Sequence, residues 1–314
     1  MLSSKPNYQP FFGSQLVLGC LVALVSLGQI LVNPVLAQAQ TLDQDPASQN
    51  VFELNLLKTD YVWTKTDLTA EVIKQRQIYH DQLEQYRQQE KNFLIAQDQY
   101  RQHATLDSIE QAVQATKRML LSRDQVLHTY LTLLQLRLLA AEGVELSLKD
   151  REVVELEALR EKLKLHHAAV SDQVDRPLVN KSADEFLIIG EAAQLVSSQT
   201  LGLLGISKLQ EIYDKANALF PDITTEVTVV AEGETTSPQT TRSLKETTLA
   251  MTKNQTNLVA VWDKVAERIN SGSDLSGQTD FSRDLNDSYV GLSKTLNYFL
   301  ELLKLFRSDG AAAT

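Results

Sequence analysis

The chain of 314 residues is 43% hydrophobic and 22% charged, with a formal net charge of −10, which is the balance of a globular protein and not of a disordered one. An acidic chain without a local cluster of bases argues against nucleic acid and anionic membrane surfaces as partners. With only 12 glycines and 7 prolines, turns are scarce, and this scarcity predicts long helices instead of a sheet sandwich.

The first 39 residues have the pattern of an N-terminal signal segment. Lys5 is their only charged residue, residues 16–32 (LVLGCLVALVSLGQILV) are apolar, and Ala37-Gln38-Ala39 is a small-x-small site. This order predicts a signal peptide that is cleaved after Ala39. The alternative is an uncleaved anchor over residues 16–35, since about 17–20 apolar residues can span a bilayer. In both cases we expect the body of the protein outside the cytoplasm, in the periplasm, at the cell surface or secreted.

The only cysteine, Cys20, lies in this leader, so the mature chain has none and carries a net charge of −11. A secreted protein without disulfides depends on its hydrophobic core, and a chain of this length can form one. These features are typical of a bacterial extracytoplasmic protein.

A flexible tether is expected over residues 40–57, followed by a helical bundle over 58–220. Its first helix begins between Phe52 and Asp67 and runs to about His103. Large side chains mark one seam of this helix at intervals of seven residues, at Val72, Tyr79, Tyr86, Phe93 and Tyr100. Such a narrow stripe packs on one side and leaves the other side in water.

The next helix, over residues 107–142, contains the segment that organises the bundle, residues 120–141 (LLSRDQVLHTYLTLLQLRLLAA). Apolar residues cover well over half of its circumference, so other helices must surround it. Ser122-x-x-Gln125 is a capping box that could divide this helix, and Gly143 suits its C-terminal end.

A third helix is expected from Ser147 to a point before Pro177, and a fourth from a capping box at Ser182-x-x-Glu185 to Pro221. The predicted buried stripe of the third helix is Val153, Leu156, Leu163, Val170 and Val174, and its predicted solvated face is Glu157, Glu161, Lys162 and Lys164.

Residues 221–242 are rich in Thr and Glu and predict a linker, with a brief strand at Glu226–Val230. Two helices with regular heptads follow and predict an antiparallel hairpin over residues 243–308, packed on the same bundle. The first seam is Leu244, Thr248, Met251, Gln255, Leu258, Trp262, Val265 and Ile269, and the second is Leu285, Tyr289, Leu292, Leu296, Phe299, Leu303 and Phe306.

The search for chemistry yields no candidate catalytic, cofactor-binding or metal-binding residue. None of the five histidines (His80, His103, His128, His166 and His167) has the glutamate three residues before it that di-iron bundles use. We expect His128 in the core and His166 and His167 on a solvated surface. No phosphate-binding or nucleophile motif is present. Arg137, Thr248 and Gln255 are candidates for buried polar residues, and Trp63 and Trp262 for packing.

The sequence therefore predicts an all-α protein: an elongated bundle or set of coiled-coil-like hairpins with five to six long helices behind a signal segment. The favoured function is a non-enzymatic scaffold, spacer or partner-binding bundle of the cell envelope, which binds a protein or itself through helix seams. The alternative is an extracytoplasmic ligand-binding or sensory module with a pocket between helices near Gly190 to Gly205 or beside residues 120–141.

Overall fold

A computed structural model describes residues 64–231, 238–272 and 279–312. The predictions of the signal peptide, its cleavage site and the tether, together with Cys20 and Trp63, lie outside the described residues. Helices account for nearly all of the described chain, and no strand occurs in it. The all-α class is confirmed. The six helices are α1 Lys65–His103, α2 Leu106–Ala140, α3 Leu146–Asp172, α4 Arg176–Ala231, α5 Pro238–Ser271 and α6 Thr279–Ala312.

Local signals explain several of the helix ends. Thr64 caps α1: its hydroxyl accepts a hydrogen bond from the backbone N–H of Asp67, and the carboxylate of Asp67 accepts one from the N–H of Thr64, which is a reciprocal capping box. Ala104 ends α1 in the left-handed conformation, with φ 43°. Gly143 follows α2 with φ 77°, as expected for a glycine beyond a helix C-terminus.

The chain forms two compact units. The first contains the described residues up to Leu139 together with Val153–Ser197, and the second contains Ala140–Glu152 and the described residues from Ser198 onward.

The first unit is a four-helix bundle whose neighbours in sequence run antiparallel. Tyr86 meets Arg123 and Tyr79 meets Tyr130, so residues later in α1 face residues earlier in α2. The same reversal links α2 to α3 through the pairs Asp124–His166 and Gln135–Glu157. It links α3 to α4 through His166–Phe186 and, at the connection between them, Gln173–Ser182. This is the up-down-up-down arrangement that short connections favour.

Helix α2 is enclosed on all sides in this unit, as its composition predicts. Every residue from Val126 to Leu136 is buried, polar ones included, and these eleven residues span three helical turns and all directions around the axis. The prediction that other helices surround this segment is confirmed. The capping box at Ser122 does not divide the helix: the Ser122 hydroxyl donates to the carbonyl of Met119 within a continuous α2.

Three predictions about α3 and the start of α4 are wrong. Val174 is 79% exposed because α3 ends at Asp172. Helix α4 begins at Arg176, and Asp175 caps it by accepting a hydrogen bond from the N–H of Leu178, so Ser182 lies inside the helix. Glu157 is only half-exposed, because it pairs with the buried Arg160.

Helix α4 continues through Pro221 to Ala231, so the predicted helix end at Pro221 and the strand at Glu226–Val230 are wrong. Proline removes one hydrogen bond from a helix interior. The neighbouring side chains of Phe220 and Ile223 offset this cost by packing against a hydrophobic cluster of the second unit.

Within the described residues, Arg176–Thr225 of α4 is the one segment that is long and apolar enough to span a membrane, and 44% of its most apolar window is buried in the protein. The core helix of a soluble bundle has the same composition.

The second unit combines the later part of α4 with α5 and α6. Its core is the cluster Leu209, Tyr213, Ala216, Met251, Leu258, Leu292 and Phe299. Asn254 contacts Thr295 and Lys264 contacts Asp284, so α5 and α6 form an antiparallel hairpin. The rings of Phe220 and Phe299 stack with centroids 5.6 Å apart and join α4 to α6.

The heptad register predicted for this hairpin is only half correct. On α5 the buried positions include Thr247, Asn254 and Val261, whereas Thr248 and Gln255 are exposed and Trp262 is half-buried. On α6, Ser288, Thr295 and Leu302 are buried in place of Tyr289, Leu296 and Leu303. On each helix two overlapping sets of positions could form the seam. The structure buries the set that contains the polar residues Thr247, Asn254, Ser288 and Thr295.

Candidate functional site

A buried histidine–aspartate pair joins α2 and α3 in the first unit. Nδ1 of His166 lies 2.9 Å from both carboxylate oxygens of Asp124, and Nε2 lies 3.0 Å from the carbonyl oxygen of Ser182. The side chain of His166 is 3% exposed and that of Asp124 is 0% exposed. The prediction that His166 lies on a solvated surface is wrong.

The sequence contains a signal for this burial. His166 lies three residues after Leu163 and four residues before Val170, and both leucine and valine belong to the apolar stripe of α3. A residue at that spacing shares the buried face of a helix. The sequence does not identify Asp124 as the partner of His166 in the same way, because Asp124 is 42 positions away. Its pairing depends on the register of two antiparallel helices.

The hydrogen bonds fix the protonation of this pair. A carbonyl oxygen can only accept, so Nε2 of His166 carries a proton toward Ser182. A second proton lies between Nδ1 and Asp124, as an imidazolium with a carboxylate or as a neutral imidazole with a carboxylic acid. Above the Asp124 pKa of about 6 the pair shares this one proton and has no net charge in either arrangement, which lowers the cost of burying it.

The pKa values of both partners move in the direction that retains this proton. Burial raises the pKa of Asp124 to about 6, although the hydrogen bond from His166 and the charges of His166 and Arg123 oppose the rise. Burial alone lowers the pKa of His166, but its hydrogen bond to Asp124 and the charge of that carboxylate raise it above its usual value. The two groups titrate as a coupled pair.

A buried arginine lies beside the pair. Arg123 is 5% exposed, and its guanidinium carbon lies 5.1 Å from the ring centroid of Phe186 and 5.7 Å from that of Tyr86. Its Nη2 donates to the hydroxyl of Tyr86 over 3.4 Å, and that hydroxyl donates to Glu90 over 2.7 Å. The aromatic faces stabilise a cation that has left water, so this cluster links α1, α2 and α4.

The remaining histidines differ in their surroundings. His128 is buried in α2, as predicted, and burial together with the charges of Arg160, Lys164 and His167 lowers its pKa to about 3. Nδ1 of His167 lies 3.8 Å from Asp124, and burial lowers the pKa of His167. His80 and His103 are exposed on α1.

A second buried polar contact joins α2 and α3 about three helical turns away. Arg160 is 2% exposed and donates to the side-chain carbonyl of Gln135 over 2.7 Å and to Glu157 over 2.6 Å. Gln135 in turn donates to Glu157 over 3.0 Å. Of the residues predicted to be buried and polar, Arg137 is half-buried, whereas Thr248 and Gln255 are exposed.

Asp124 and His166 are enclosed by the bundle, and no group of three or more His, Cys, Asp or Glu side chains in the described chain could hold a metal ion. An open cleft of about 250 Å³ lies beside Tyr100 and Arg176. In both buried polar clusters the side chains hydrogen-bond to partners on a neighbouring helix.

In the second unit, α6 exposes large apolar side chains along one face. Tyr289, Leu296, Leu300 and Leu303 are between 39% and 60% exposed. At about 100° per residue they lie within roughly 60° of one another around the helix. We call these four residues the α6 stripe. Of the residues that border it on the solvent side, Asn286, Ser293 and Asn297 are uncharged, and Lys304 at its C-terminal end is charged.

A close contact in the hairpin seam determines which face of α6 turns inward. The side-chain N–H of Asn254 donates to the Thr295 hydroxyl over 2.6 Å. A Cβ added at Gly291 would lie 2.4 Å from the side-chain oxygen of Asn254, so glycine allows the helices to approach. These polar residues occupy the seam, and the apolar alternatives face solvent.

Comparison with known proteins gives no match: no family model fits the chain, and no curated protein and no solved structure is similar to it.

Proposed function

We propose that this chain is an exported, non-enzymatic structural or interaction protein of the cell envelope, a helical scaffold that binds a protein partner through an exposed helix face. Export is supported by the sequence of residues 1–39. The proposal of a scaffold is supported by long helices whose buried titratable groups, Asp124 and His166 among them, are directed at one another.

The observation that carries this proposal is the α6 stripe. Large exposed apolar side chains grouped on one face are typical of protein–protein contact sites, whereas scattered ones need no explanation. Leu296, Leu300 and Leu303 lie at positions i, i+4 and i+7, the spacing that helix-in-groove partners recognise, and Tyr289 lies two turns earlier. The stripe adjoins a seam that is already filled, so it is not required to close the hairpin.

A ligand-binding module would need a cavity of about 300–1,000 Å³ with convergent polar groups. The cleft beside Tyr100 and Arg176 does not support this alternative, since its volume of about 250 Å³, which includes open solvent, is below that range. Co-purification of a small molecule with the protein would favour the alternative over the scaffold.

Two adjacent residues of α6 provide a matched test. Tyr289 is 60% exposed and lies in the stripe, and Val290 is 55% exposed but points about 100° away. A photo-crosslinking amino acid is placed at each position of the full chain in its own host. We expect a discrete crosslinked protein species in the envelope fraction from position 289 and little from position 290. Equal adducts from both positions, or a cytoplasmic location, would contradict the proposal.

A further inference from the structure

From the α6 stripe we infer that the partner is a second copy of this chain, bound with its α6 antiparallel across a two-fold axis at Leu296. This inference names the partner of the surface on which the proposed function rests. It depends on the spacing of the stripe, the direction of the hairpin contacts and the distribution of charge on α6.

The spacing of three of the four stripe residues, Tyr289, Leu296 and Leu303, is self-complementary. Tyr289 and Leu303 lie seven residues before and seven residues after Leu296. An antiparallel second copy centred on Leu296 therefore brings Tyr289 of each copy opposite Leu303 of the other, with Leu296 against itself. A two-fold interface requires this reciprocity, in which each contact occurs twice.

The hairpin leaves this face of α6 available. Contacts with α5 come from Asp284, Gly291 and Thr295, and contacts with α4 come from Leu285 and Phe299. The stripe residues lie about 80–180° further round the helix from the α5 contacts. The apolar side chains of α6 therefore extend over a wider arc of the helix than α4 and α5 cover. A helix with such a wide apolar arc packs against more than one neighbour.

Charge favours a second copy over a charged partner. The charged side chains Arg283, Asp287, Lys294 and Glu301 are on other sides of α6. Lys304 borders the stripe just beyond Leu303, but in the antiparallel arrangement the two copies of Lys304 lie about 24 Å apart along the helix. Two chains that each have a net charge of −10 can therefore meet at this face without placing like charges opposite each other. An uncharged face offers no complementary contact to a strongly acidic or basic surface.

The size of the stripe sets the strength of the dimer. A standard interface uses about 20–30 residues per partner, and one helix face supplies far fewer. The dimer is consequently reversible and dependent on protein concentration. The high local concentration of an envelope compartment favours it.

Cysteine pairing tests this geometry in the full chain with Cys20→Ser, which removes the only native thiol. With diamide as oxidant, Leu296→Cys should form a disulfide-linked dimer at least about tenfold faster than Tyr289→Cys, because paired thiols have a high effective concentration. Two copies of Tyr289 are displaced by about 21 Å along the helix, beyond the reach of a disulfide. A mixture of the Tyr289→Cys and Leu303→Cys chains should crosslink to each other.

Equal rates for Leu296→Cys and Tyr289→Cys would overturn the inference. Sedimentation of the chain without cysteine variants gives an independent readout: Leu296→Glu should abolish a concentration-dependent dimer, and Val290→Glu should leave it unchanged. A monomer at all concentrations in both variants and in the parent chain also overturns it. If position 289 captures a different protein in the envelope while no dimer forms, the proposed function stands and this inference fails.

Discussion

His166 and Asp124 meet across two antiparallel helices, with Nδ1 2.9 Å from both carboxylate oxygens and with both side chains buried. The contact joins α2, which the other helices of its unit enclose, to α3, and through the Ser182 carbonyl to α4. A buried, proton-sharing pair of this kind has a defined partner, so it disfavours slippage of one helix along another.

Removing one member of the pair should lower the free energy of unfolding much more than removing both. Asp124→Leu leaves a buried imidazole without its partner, and we expect a loss of about 3–5 kcal/mol in the free energy of unfolding. The double variant Asp124→Leu with His166→Leu should regain a large part of that loss, because two apolar side chains need no partner. Urea denaturation of the single and double variants measures the coupling. Additive losses would contradict the account.

The same pair should make the protein less stable as pH rises. Burial raises the pKa of Asp124 from 3.8 to about 6, and that of His166 lies above its usual 6.5. The folded state therefore binds more protons than the unfolded state from about pH 4 to above pH 6.5, and stability falls with rising pH in that window. The pair's contribution is complete below the unfolded pKa values. Urea midpoints should fall less with pH in the Asp124→Leu, His166→Leu variant, and an unchanged slope would exclude this assignment.

His128 should have the opposite effect and make the protein less stable as pH falls. Its pKa of about 3 in the folded state means that the unfolded chain takes up a proton below pH 6.5 while the folded chain does not. Stability is therefore lost as pH falls from 6.5 toward 3, by up to about 1.4 kcal/mol per pH unit. The variant His128→Leu should have a flatter stability profile on acidification. His103→Leu, at an exposed position, is the control and should match the parent.

Two glycine substitutions should have opposite effects. A Cβ at Gly291 would lie 2.4 Å from Asn254, whereas one at Gly190 would lie 3.8 Å from its nearest neighbour, Phe186. Gly291→Ala should destabilise the protein by about 1–3 kcal/mol through overpacking. Gly190→Ala should stabilise it by about 0.5–1 kcal/mol through helix propensity. Thermal unfolding of both variants gives the signs, and Asn254→Ser should restore part of the loss in Gly291→Ala. Stabilisation by Gly291→Ala would mean that the helices do not approach closely at this point.

The leader should direct export and be removed. We expect the exported protein to begin at Gln40, and Leu24→Arg, which puts a charge in the apolar run, should block export. Mass spectrometry of the intact protein from each cell fraction measures both effects. The conservative Leu24→Ile should be processed normally. A full-length chain in the membrane would support the anchor, and a full-length chain in the cytoplasm would refute export.

The sequence patterns predict the helices and the enclosure of α2 better than they predict the polar contacts between helices. The segment around Leu131 is apolar in all directions, so its enclosure follows from composition alone. On α6 the sequence offers two seams, and the choice between Leu296 and Thr295 depends on how closely Gly291 allows α5 to approach, which is a tertiary property. The pair of Asp124 and His166 escaped prediction for the same reason, since neither residue has its partner nearby in sequence. Pro221 continues its helix because Phe220 and Ile223 are packed.

Photo-crosslinking at Tyr289 and Val290 in intact cells tests whether α6 presents a partner-binding face. The two residues are at the same height on one helix and almost equally exposed, so they differ mainly in direction. The account predicts a discrete crosslinked species in the envelope from position 289 and at most a trace from position 290. Indistinguishable crosslinking from the two positions would contradict it.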